Sequence, residues 1–288
     1  MSDAIEETTA GLDWITATLP RDADGDAIWL HRCLECLDTI EADGYMMEMR
    51  CLNGYEGVMV GGSFCGSRQD GHMVQFSGRY AHKFYGTVYR PDVHISRLDL
   101  QVTVKFVNMP MDIARRGYGD AIEENKTLPV ARRRKIFIIV GSDGGDTLYV
   151  GSTSSDARGR LYNKEVQSED PLYTKTWRYE VTLRNDMAMR CIGSLAARST
   201  NLVVFCSRFV AQWYQARGIK TPWDVPDLDI PLPPKQTLPT DIESKLNWLR
   251  HQVAPTIRYL IDRGLYDRVA TALGWPSAET SPPQEQLE

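Results

Sequence analysis

The sequence lacks several features that would assign a function class at once. No apolar run approaches the roughly eighteen residues that a membrane-spanning helix needs, and the first residues are acidic where a signal peptide would be basic. No glycine-rich run is followed by the Gly-Lys-Ser/Thr of a phosphate-binding loop. Ser152, which follows Gly151, lacks the Gly-x-Ser-x-Gly spacing of a hydrolase. We therefore expect a cytoplasmic protein with no membrane partner and no ATPase activity.

Histidines and paired cysteines are also scarce. No two of the five histidines flank a single residue, and among six cysteines only Cys33 and Cys36 have a CxxC spacing. Neither a second pair nor a His pair completes a zinc site. On a helix these two cysteines lie one turn apart, which favours core packing over metal or redox use without excluding the latter. Any metal must be held mostly by carboxylates, which favours Mg²⁺ or Mn²⁺.

Charge is distributed unevenly along the 288 residues. The net charge is −5, yet residues 68–190 hold 20 Lys and Arg against 15 Asp and Glu, while the remainder holds 13 against 23. A basic centre between acidic ends can bind nucleic acid locally while limiting nonspecific adhesion. The hydrophobic content of 42% is that of an ordinary globular protein.

The periodicity predicts an α+β fold of mostly antiparallel sheets with flanking helices, followed by a C-terminal helical segment. Strands are predicted at 12–19, 45–52, 57–64, 72–77, 93–106, 136–140, 147–150 and 177–184. Helices are predicted at 27–42, 110–125, 186–218 with a break near Ser199, and 241–273 with a kink at Pro255.

The same pattern suggests a division of the chain. We expect a flexible N-terminus at 1–12, a catalytic domain at 13–218, a proline-rich linker or strap at 219–240, a helical segment at 241–276 and a disordered tail at 277–288.

The strand at 93–106 carries an aspartate that needs an explanation. Arg97 and Asp99 share its polar face with Ile95, Gln101, Thr103 and Lys105. Aspartate is an unfavourable residue at the centre of a strand. A salt bridge to an arginine is one reason for its presence, and a functional role is the other.

A run of four cations, Arg132, Arg133, Arg134 and Lys135, precedes the apolar strand at 136–140. Such a run is usually a solvated edge. In a DNA-binding protein it would lie on phosphates and make binding depend on salt.

The stretch 147–184 places a tyrosine among cations between two predicted strands. If residues 160–164 form a strand, Arg160, Tyr162 and Lys164 share one face, with Arg158 nearby. A phenol is a poor nucleophile at pH 7, so a catalytic tyrosine needs nearby cations or a metal. On pattern alone, a surface strand with a buried tyrosine edge and solvated charges is the commoner interpretation.

The block resembles the signature of the replication initiation factor, or Rep_trans, group of rolling-circle initiators. The matching residues are Tyr149-Val-Gly-Ser-Thr-Ser-Ser155, Gly159-Arg-Leu-Tyr-Asn-Lys164 and Trp177-Arg-Tyr-Glu180, with Ser96-Arg-Leu-Asp-Leu100 upstream. The resemblance extends from Asp13-Trp14 to Trp248-Leu-Arg250. Asn163 departs from it, because an acidic residue is common there. The His-hydrophobe-His motif of the other large class of rolling-circle nickases is absent.

The resemblance implies a DNA nicking and closing enzyme for a plasmid or filamentous-phage genome that works through a 5′-phosphotyrosyl intermediate. By resemblance Tyr162 is the nucleophile, favoured over Tyr149, Tyr173 and Tyr179, and Arg160 and Lys164 stabilise charge on the phosphate. Asp99 and Glu180, with Glu165 as a third ligand, would hold Mg²⁺ or Mn²⁺. The remaining DNA-binding residues would be Arg97, Arg132, Arg133, Arg134, Lys135, Arg158 and Arg178.

The implied partner is origin DNA, presented as a single strand or an extruded hairpin at the nick site. A host helicase and a second copy of the chain are further expected partners. Two alternatives stay open: a non-catalytic origin-binding regulator on the same scaffold, and the relaxase of a conjugative element. The sequence specifies neither the origin nor the choice between replication and transfer.

Overall fold

The computed structural model describes residues 4–21, 23–90, 92–168, 170–198, 201–223 and 254–273. Its strands are β1 Ile5–Pro20, β2 Met47–Leu52, β3 Tyr55–Val60, β4 Ser63–Arg68, β5 Gly71–Ser77, β6 His94–Phe106, β7 Ile136–Ile139, β8 Thr147–Val150, β9 Ala157–Asn163 and β10 Thr176–Arg184. Its α-helices are α1 Asp26–Ala42, α2 Arg79–Val88, α3 Ile113–Thr127, α4 Lys164–Gln167, α5 Asn185–Arg198, α6 Leu202–Gln215, α7 Ala254–Asp262 and α8 Tyr266–Leu273.

All ten strands form one sheet in the order β2-β3-β4-β5-β1-β6-β10-β9-β8-β7. Every neighbouring pair is antiparallel. Together with the flanking helices and the C-terminal helical pair, this confirms the predicted α+β class.

Residues 45–89 differ from their prediction. Four strands occupy the region in place of three, because an extra reversal at Gly61 and Gly62, both with positive φ, separates β3 from β4. Helix α2 was not predicted. It begins directly after Gly78, and its buried residues Tyr80, Ala81, Phe84 and Val88 follow a helical spacing that is too short to stand out among strands.

Strand β1 lies at the centre of the sheet and pairs with β5 on one side and β6 on the other. It begins at Ile5, seven residues before the predicted start at Leu12. Its pairing with β6 shifts register between Leu12 and Trp14, which leaves Asp13 as an extra residue, and again where Arg97 and Ile95 pair with Thr16 and Ala17. The second shift turns Ile95 into the core, whereas strict alternation predicts it on the polar face.

One face of the sheet is covered and the other carries polar side chains. Helices α2, α5 and α6 contact β1 or β6, and α3 contacts β7 and β8. The apolar side of β6 is fully buried beneath them at Leu98, Leu100, Val102 and Val104. We call the opposite side of the five strands β6, β10, β9, β8 and β7 the polar face.

The predicted helix at 186–218 is two helices, α5 and α6, on either side of residues 199 and 200. The side chain of Asn201 caps α6 by accepting from the N–H groups of Val203 and Val204. At the start of the predicted linker, Ile219 and Trp223 are buried.

The chain divides into two units, residues 1–233 and 234–288. In the second unit the structure describes α7 and α8, and the kink predicted at Pro255 falls at the border of the described residues. The predicted helix at 241–253, the tail at 277–288 and most of the linker lie outside the described residues. None of the described helices is long and apolar enough to cross a membrane.

Candidate active site

The strand register aligns functional side chains in rows across the polar face. One row joins Tyr149 to Arg160 on β9 and Arg160 to Glu180 on β10. The next row joins Tyr162 to Arg178. Because side chains on one face repeat every two residues, these rows lie side by side and bring the predicted residues of β9 and β10 together.

Tyr162 contacts both Glu180 and Arg160. Its hydroxyl donates to Glu180 Oε2 at 3.3 Å, and Arg160 Nη2 contacts the same oxygen at 3.1 Å. The Arg160 guanidinium also lies over the Tyr162 ring, with its carbon 4.1 Å from the ring centroid. The tyrosine, the arginine and the carboxylate therefore form one hydrogen-bonded group.

The environment of Tyr162 favours the neutral phenol. The residue is 3% exposed, and burial followed by the negative charge of Glu180 raises the pKa of the phenol, against the opposing charges of Arg178 and Arg160. The sequence pattern predicts the reverse, with cations stabilising a phenolate. The difference arises because the folded chain buries the phenol and, in addition, places a carboxylate on the hydroxyl.

Lys164 lies outside the strand that was predicted to carry it. Strand β9 ends at Asn163, whose side chain caps α4, and Lys164 is the first residue of that helix. Its ammonium nitrogen is nevertheless 5.9 Å from the centroid of the Tyr162 ring. Burial, and then the charge of Arg178, lower the pKa of Lys164.

Tyr173 enters the same cluster from a short 3-10 helix at 171–173. Lys164 lies 4.9 Å and Arg178 5.4 Å from its ring centroid. Of the other tyrosines considered as nucleophiles, Tyr149 lies on the polar face beside Arg158, whereas Tyr179 packs in the core against Tyr214 and Trp223. The position of Tyr173 among cations was not visible in the sequence, because its proximity depends on the turn before β10.

Asp99 is buried against Arg97. The Arg97 Nε donates to Asp99 Oδ1 at 3.0 Å, and the guanidinium stacks on Trp14 at 4.5 Å from the ring centroid. Burial raises the pKa of Asp99, against the opposing effect of Arg97. Asp99 pairs with Thr182, two residues from Glu180 on the same face, so the two carboxylates are diagonal neighbours.

Asp13 is a site residue that the sequence reasoning missed. The register shift in β1 leaves it unpaired in the ladder, and its Oδ1 contacts Arg178 Nη1 at 3.2 Å. Burial, and the nearby charges of Asp99 and Asp13, raise the pKa of Glu180, while Arg160 opposes them. Only the resemblance starting at Asp13-Trp14 pointed toward this position, because a bulge cannot be read from alternation.

The predicted third metal ligand does not join Asp99 and Glu180. Glu165 lies on α4, where its carboxylate accepts the backbone N–H of Lys175 at 2.9 Å. Among the described residues, no group of three or more His, Cys, Asp or Glu side chains could hold a metal ion. The two buried carboxylates have the chemistry of hard-cation ligands, and each is paired with an arginine.

Two cavities flank this group. The first, of about 250 Å³, is lined by Glu180 and by four arginines, Arg97, Arg158, Arg160 and Arg184. The second, of about 200 Å³, is lined by Tyr162 and again by Arg160. Within the described chain, the buried Nε atoms of Arg158 and Arg160 have no hydrogen-bond partner. Four arginines around one cavity form a site suited to an anion.

The basic run before β7 does not present all its charges together. Arg132, Arg133 and Lys135 are exposed, whereas Arg134 is half-buried. Burial and the charge of Arg134 lower the pKa of Arg217 to about 10, so Arg134 lies close to another cation. The prediction of four equivalent phosphate contacts therefore fits three of the residues better than the fourth.

Comparison with known proteins places the chain in a family. Residues 118–268, more than half of the chain, match the family model described as "Replication initiation factor". The chain belongs to the replication initiation factor family. None of the curated proteins matches this chain in sequence.

A solved structure has a similar fold to this replication initiation factor. The rolling circle replication initiator protein from Geobacillus stearothermophilus is 23% identical, with a TM-score of 0.50 over 73% of this chain and 85% of that chain. This identity shows a shared fold alone. The aspartate kinase of Clostridium acetobutylicum, with 12% identity, a TM-score of 0.17 and coverage of 63% of this chain and 32% of that chain, is too weakly similar to inform the fold.

The family match and the local geometry overlap on one part of the site. In this replication initiation factor the matched residues include Arg160, Tyr162 and Glu180, which contact one another on β9 and β10. Asp13 and Asp99 lie before the matched residues and reach the site through β1 and β6. The sheet therefore joins carboxylates from one part of the chain to the tyrosine of another.

Proposed function

We propose that this replication initiation factor nicks and rejoins origin DNA to start rolling-circle replication, with Tyr162 as nucleophile. The main support for this proposal is the contact of Tyr162 with both Glu180 and Arg160 beside an arginine-lined cavity. It lies within the family match, and the similarly folded Geobacillus stearothermophilus protein is described as a rolling circle initiator.

The proposed reaction exchanges one phosphodiester for another. The Tyr162 oxygen attacks the scissile phosphorus and the phenolic proton passes to Glu180, its hydrogen-bond acceptor. The bond from phosphorus to the 3′ oxygen breaks and that oxygen takes a proton from water, which leaves a free 3′-OH as primer and a 5′-phosphotyrosyl link on the enzyme. Because the link conserves the bond energy, a 3′-OH reverses the step without ATP.

Arg160 is placed to stabilise the phosphate during this exchange. It lines both cavities and its guanidinium lies over the Tyr162 ring. Arg158 lines the first of these cavities as well. Charge developing on the phosphate oxygens is stabilised most by donors that are already fixed in place.

Asp99 and Glu180 would hold the divalent cation, Mg²⁺ or Mn²⁺. After burial, the charge of Asp13 also raises the pKa of both carboxylates, whereas the predicted ligand Glu165 is bound to the Lys175 backbone. The bound ion would polarise the scissile phosphate and steady the leaving oxygen. Arg97 and Arg160 form ion pairs with these two carboxylates. With a cation on the carboxylates, Arg97 and Arg160 would be free to bind the phosphate.

The substrate would be single-stranded or extruded origin DNA, because a buried tyrosine cannot reach a phosphate within a regular duplex. Arg132, Arg133 and Lys135 would bind flanking phosphates. A host helicase and a second copy of the chain remain predicted partners. The plasmid or phage source and the domain boundaries also remain predictions.

The deciding experiment is mass spectrometry of the peptide trapped on single-stranded DNA from the region adjacent to the gene. The proposal predicts an adduct on Tyr162. An adduct on Tyr173 would assign the nucleophile to that tyrosine of the same cluster. Sequence-specific binding with no adduct at any tyrosine would instead support the non-catalytic regulator, which the burial and raised pKa of Tyr162 favour. Cleavage confined to a transfer origin would indicate a relaxase.

A further inference from the structure

The outer edge of the polar face carries a stack of aromatic rings. Phe137 on β7 stacks on Tyr149 of β8, with ring centroids 4.8 Å apart and planes inclined by 17°. The Arg158 guanidinium lies 4.4 Å from the Tyr149 centroid and 5.8 Å from that of Phe137. We call Phe137, Tyr149 and Arg158 the edge platform.

The platform lies beside the proposed site. Phe137 pairs with Tyr149, Tyr149 with Arg160, and Arg160 with Glu180, so a single row runs from the platform to the carboxylate that accepts the Tyr162 hydroxyl. Neighbouring strands are about 4.8 Å apart, which puts Phe137 roughly 10 Å from Arg160. Tyr149 and Arg158 also line the arginine-rich cavity.

Phe137 is presented outward. Its neighbours Ile136 and Ile138 pack against the core, whereas Phe137 is 41% exposed on the final strand of the described sheet. An exposed phenylalanine alone is common and carries no meaning. Here one face of the Phe137 ring rests on Tyr149. The opposite face points away from the sheet, because β7 is the last strand of the described sheet.

The charges around the platform favour an anionic polymer as its occupant. Lys135 and Arg133 are both exposed and precede Phe137 by two and four residues. A row of cations beside stacked rings matches the design of sites that bind single-stranded nucleic acid, in which cations track the phosphates and rings take the bases. A second copy of this chain would bring the same positive charges against these.

We infer that the edge platform binds a nucleobase of single-stranded DNA, stacked on the outward face of Phe137, one or two nucleotides from the phosphate at Tyr162. This rests on the proposed function and names where that substrate lies. Stacking on an aromatic ring is tolerant of sequence, because every base has a π-face. The platform would therefore position the strand, while other contacts select the origin.

The test compares two labelled probes on the full chain: a twelve-nucleotide oligo-dT, and an abasic oligomer of equal length and charge. Phe137→Ala should weaken oligo-dT binding roughly tenfold and leave abasic binding unchanged, whereas Phe137→Trp should retain the preference for bases. Ile139→Ala is the matched control, since Ile139 lies on the same strand and face, is 55% exposed and has no ring. It should change neither affinity.

Equal weakening of both probes by Phe137→Ala, or of neither, would overturn the inference. A change of oligomeric state in Phe137→Ala, seen by sedimentation, would assign the edge to a second copy instead. The proposed function fails separately: base-dependent binding without a tyrosine adduct leaves the platform and removes the nickase. An adduct formed on single-stranded origin DNA, together with oligo-dT binding that does not depend on Phe137, keeps the nickase and removes the platform.

Discussion

Tyr162 and Glu180 lie on adjacent strands, and the phenolic hydroxyl of the first donates to the carboxylate of the second at 3.3 Å. Burial and then the charge of Glu180 raise the pKa of the phenol, and the carboxylate accepts its hydrogen bond.

Tyr162→Phe should abolish nicking and the covalent adduct, a loss of at least about a thousandfold, because the attacking oxygen is gone. The free energy of unfolding should fall by only about 1 kcal/mol, since one hydrogen bond is lost and the ring remains. Gel assays on supercoiled origin DNA and thermal unfolding provide the two measurements. Tyr173→Phe is the control from the same cluster, and full loss of activity there with retention in Tyr162→Phe would reverse the assignment.

The pH dependence of nicking should report Glu180. A carboxylate that accepts the phenolic proton must be ionised, and burial raises the pKa of Glu180 above the ordinary glutamate range. The rate should therefore decline on acidification at a higher pH than an unperturbed glutamate would give. Arg160 opposes the rise, so Arg160→Ala should move this decline to still higher pH, in addition to lowering the rate. A decline that stays in place would separate the proton acceptor from Glu180.

Divalent cations should stabilise the fold near pH 7. The pKa values of Asp99 and Glu180 are raised by folding, so the stability these groups contribute is full below their unfolded pKa near 4 and is lost as pH rises through the folded values. A bound cation offsets that loss. Melting temperature should therefore rise with Mn²⁺ at pH 7 and rise less at pH 5.

The variants for that measurement are Asp99→Asn and Glu180→Gln, each of which should remove the Mn²⁺-dependent rise. Glu165→Gln is the control, because its carboxylate is bound to the Lys175 backbone away from the pair. If Glu165→Gln removed the rise while the other two kept it, the ion would lie elsewhere.

Salt dependence should distinguish members of the basic run. Replacing Arg132, Arg133 and Lys135 together by alanine should reduce the slope of log affinity against log salt by up to about three units for duplex origin DNA. Arg134→Ala should leave the slope nearly unchanged, because this side chain lies close to Arg217. An equal effect of Arg134→Ala would place all four cations on phosphates, and an unchanged slope in the triple variant would make the run a solvated edge.

Gly159→Ala should destabilise the sheet. A methyl group built at Gly159 would overlap the Trp213 ring, which packs directly on this point of β9. Such overpacking costs about 1–3 kcal/mol and should lower the melting temperature. Gly119→Ala is the opposite case: it lies on helix α3 with no atom near the added methyl group, so it should raise stability by up to about 1 kcal/mol. Similar melting temperatures for both variants would contradict this packing.

The sequence by itself determined the secondary structure of the long periodic elements and the membership of Tyr162, Arg160 and Glu180 in one block. Strand β6 and helices α1 and α3 fall within three residues of their predicted starts and ends. Local spacing was sufficient there, because a strand or helix face repeats within the element itself. Helix α2 and the fourth strand of the 45–89 region were missed, since short elements between glycines offer too few repeats.

Only the tertiary structure decided how the block is arranged in space. The position of Asp13 depends on a register shift between β1 and β6, and the approach of Tyr173 depends on the turn before β10. The neutral state of Tyr162 follows from its burial and from the placement of Glu180 on the neighbouring strand, and the edge platform joins residues from three strands. Each of these depends on which strands are neighbours and in which register. Pairing between distant segments is set by the packing of the whole core, so no local pattern in the sequence records it.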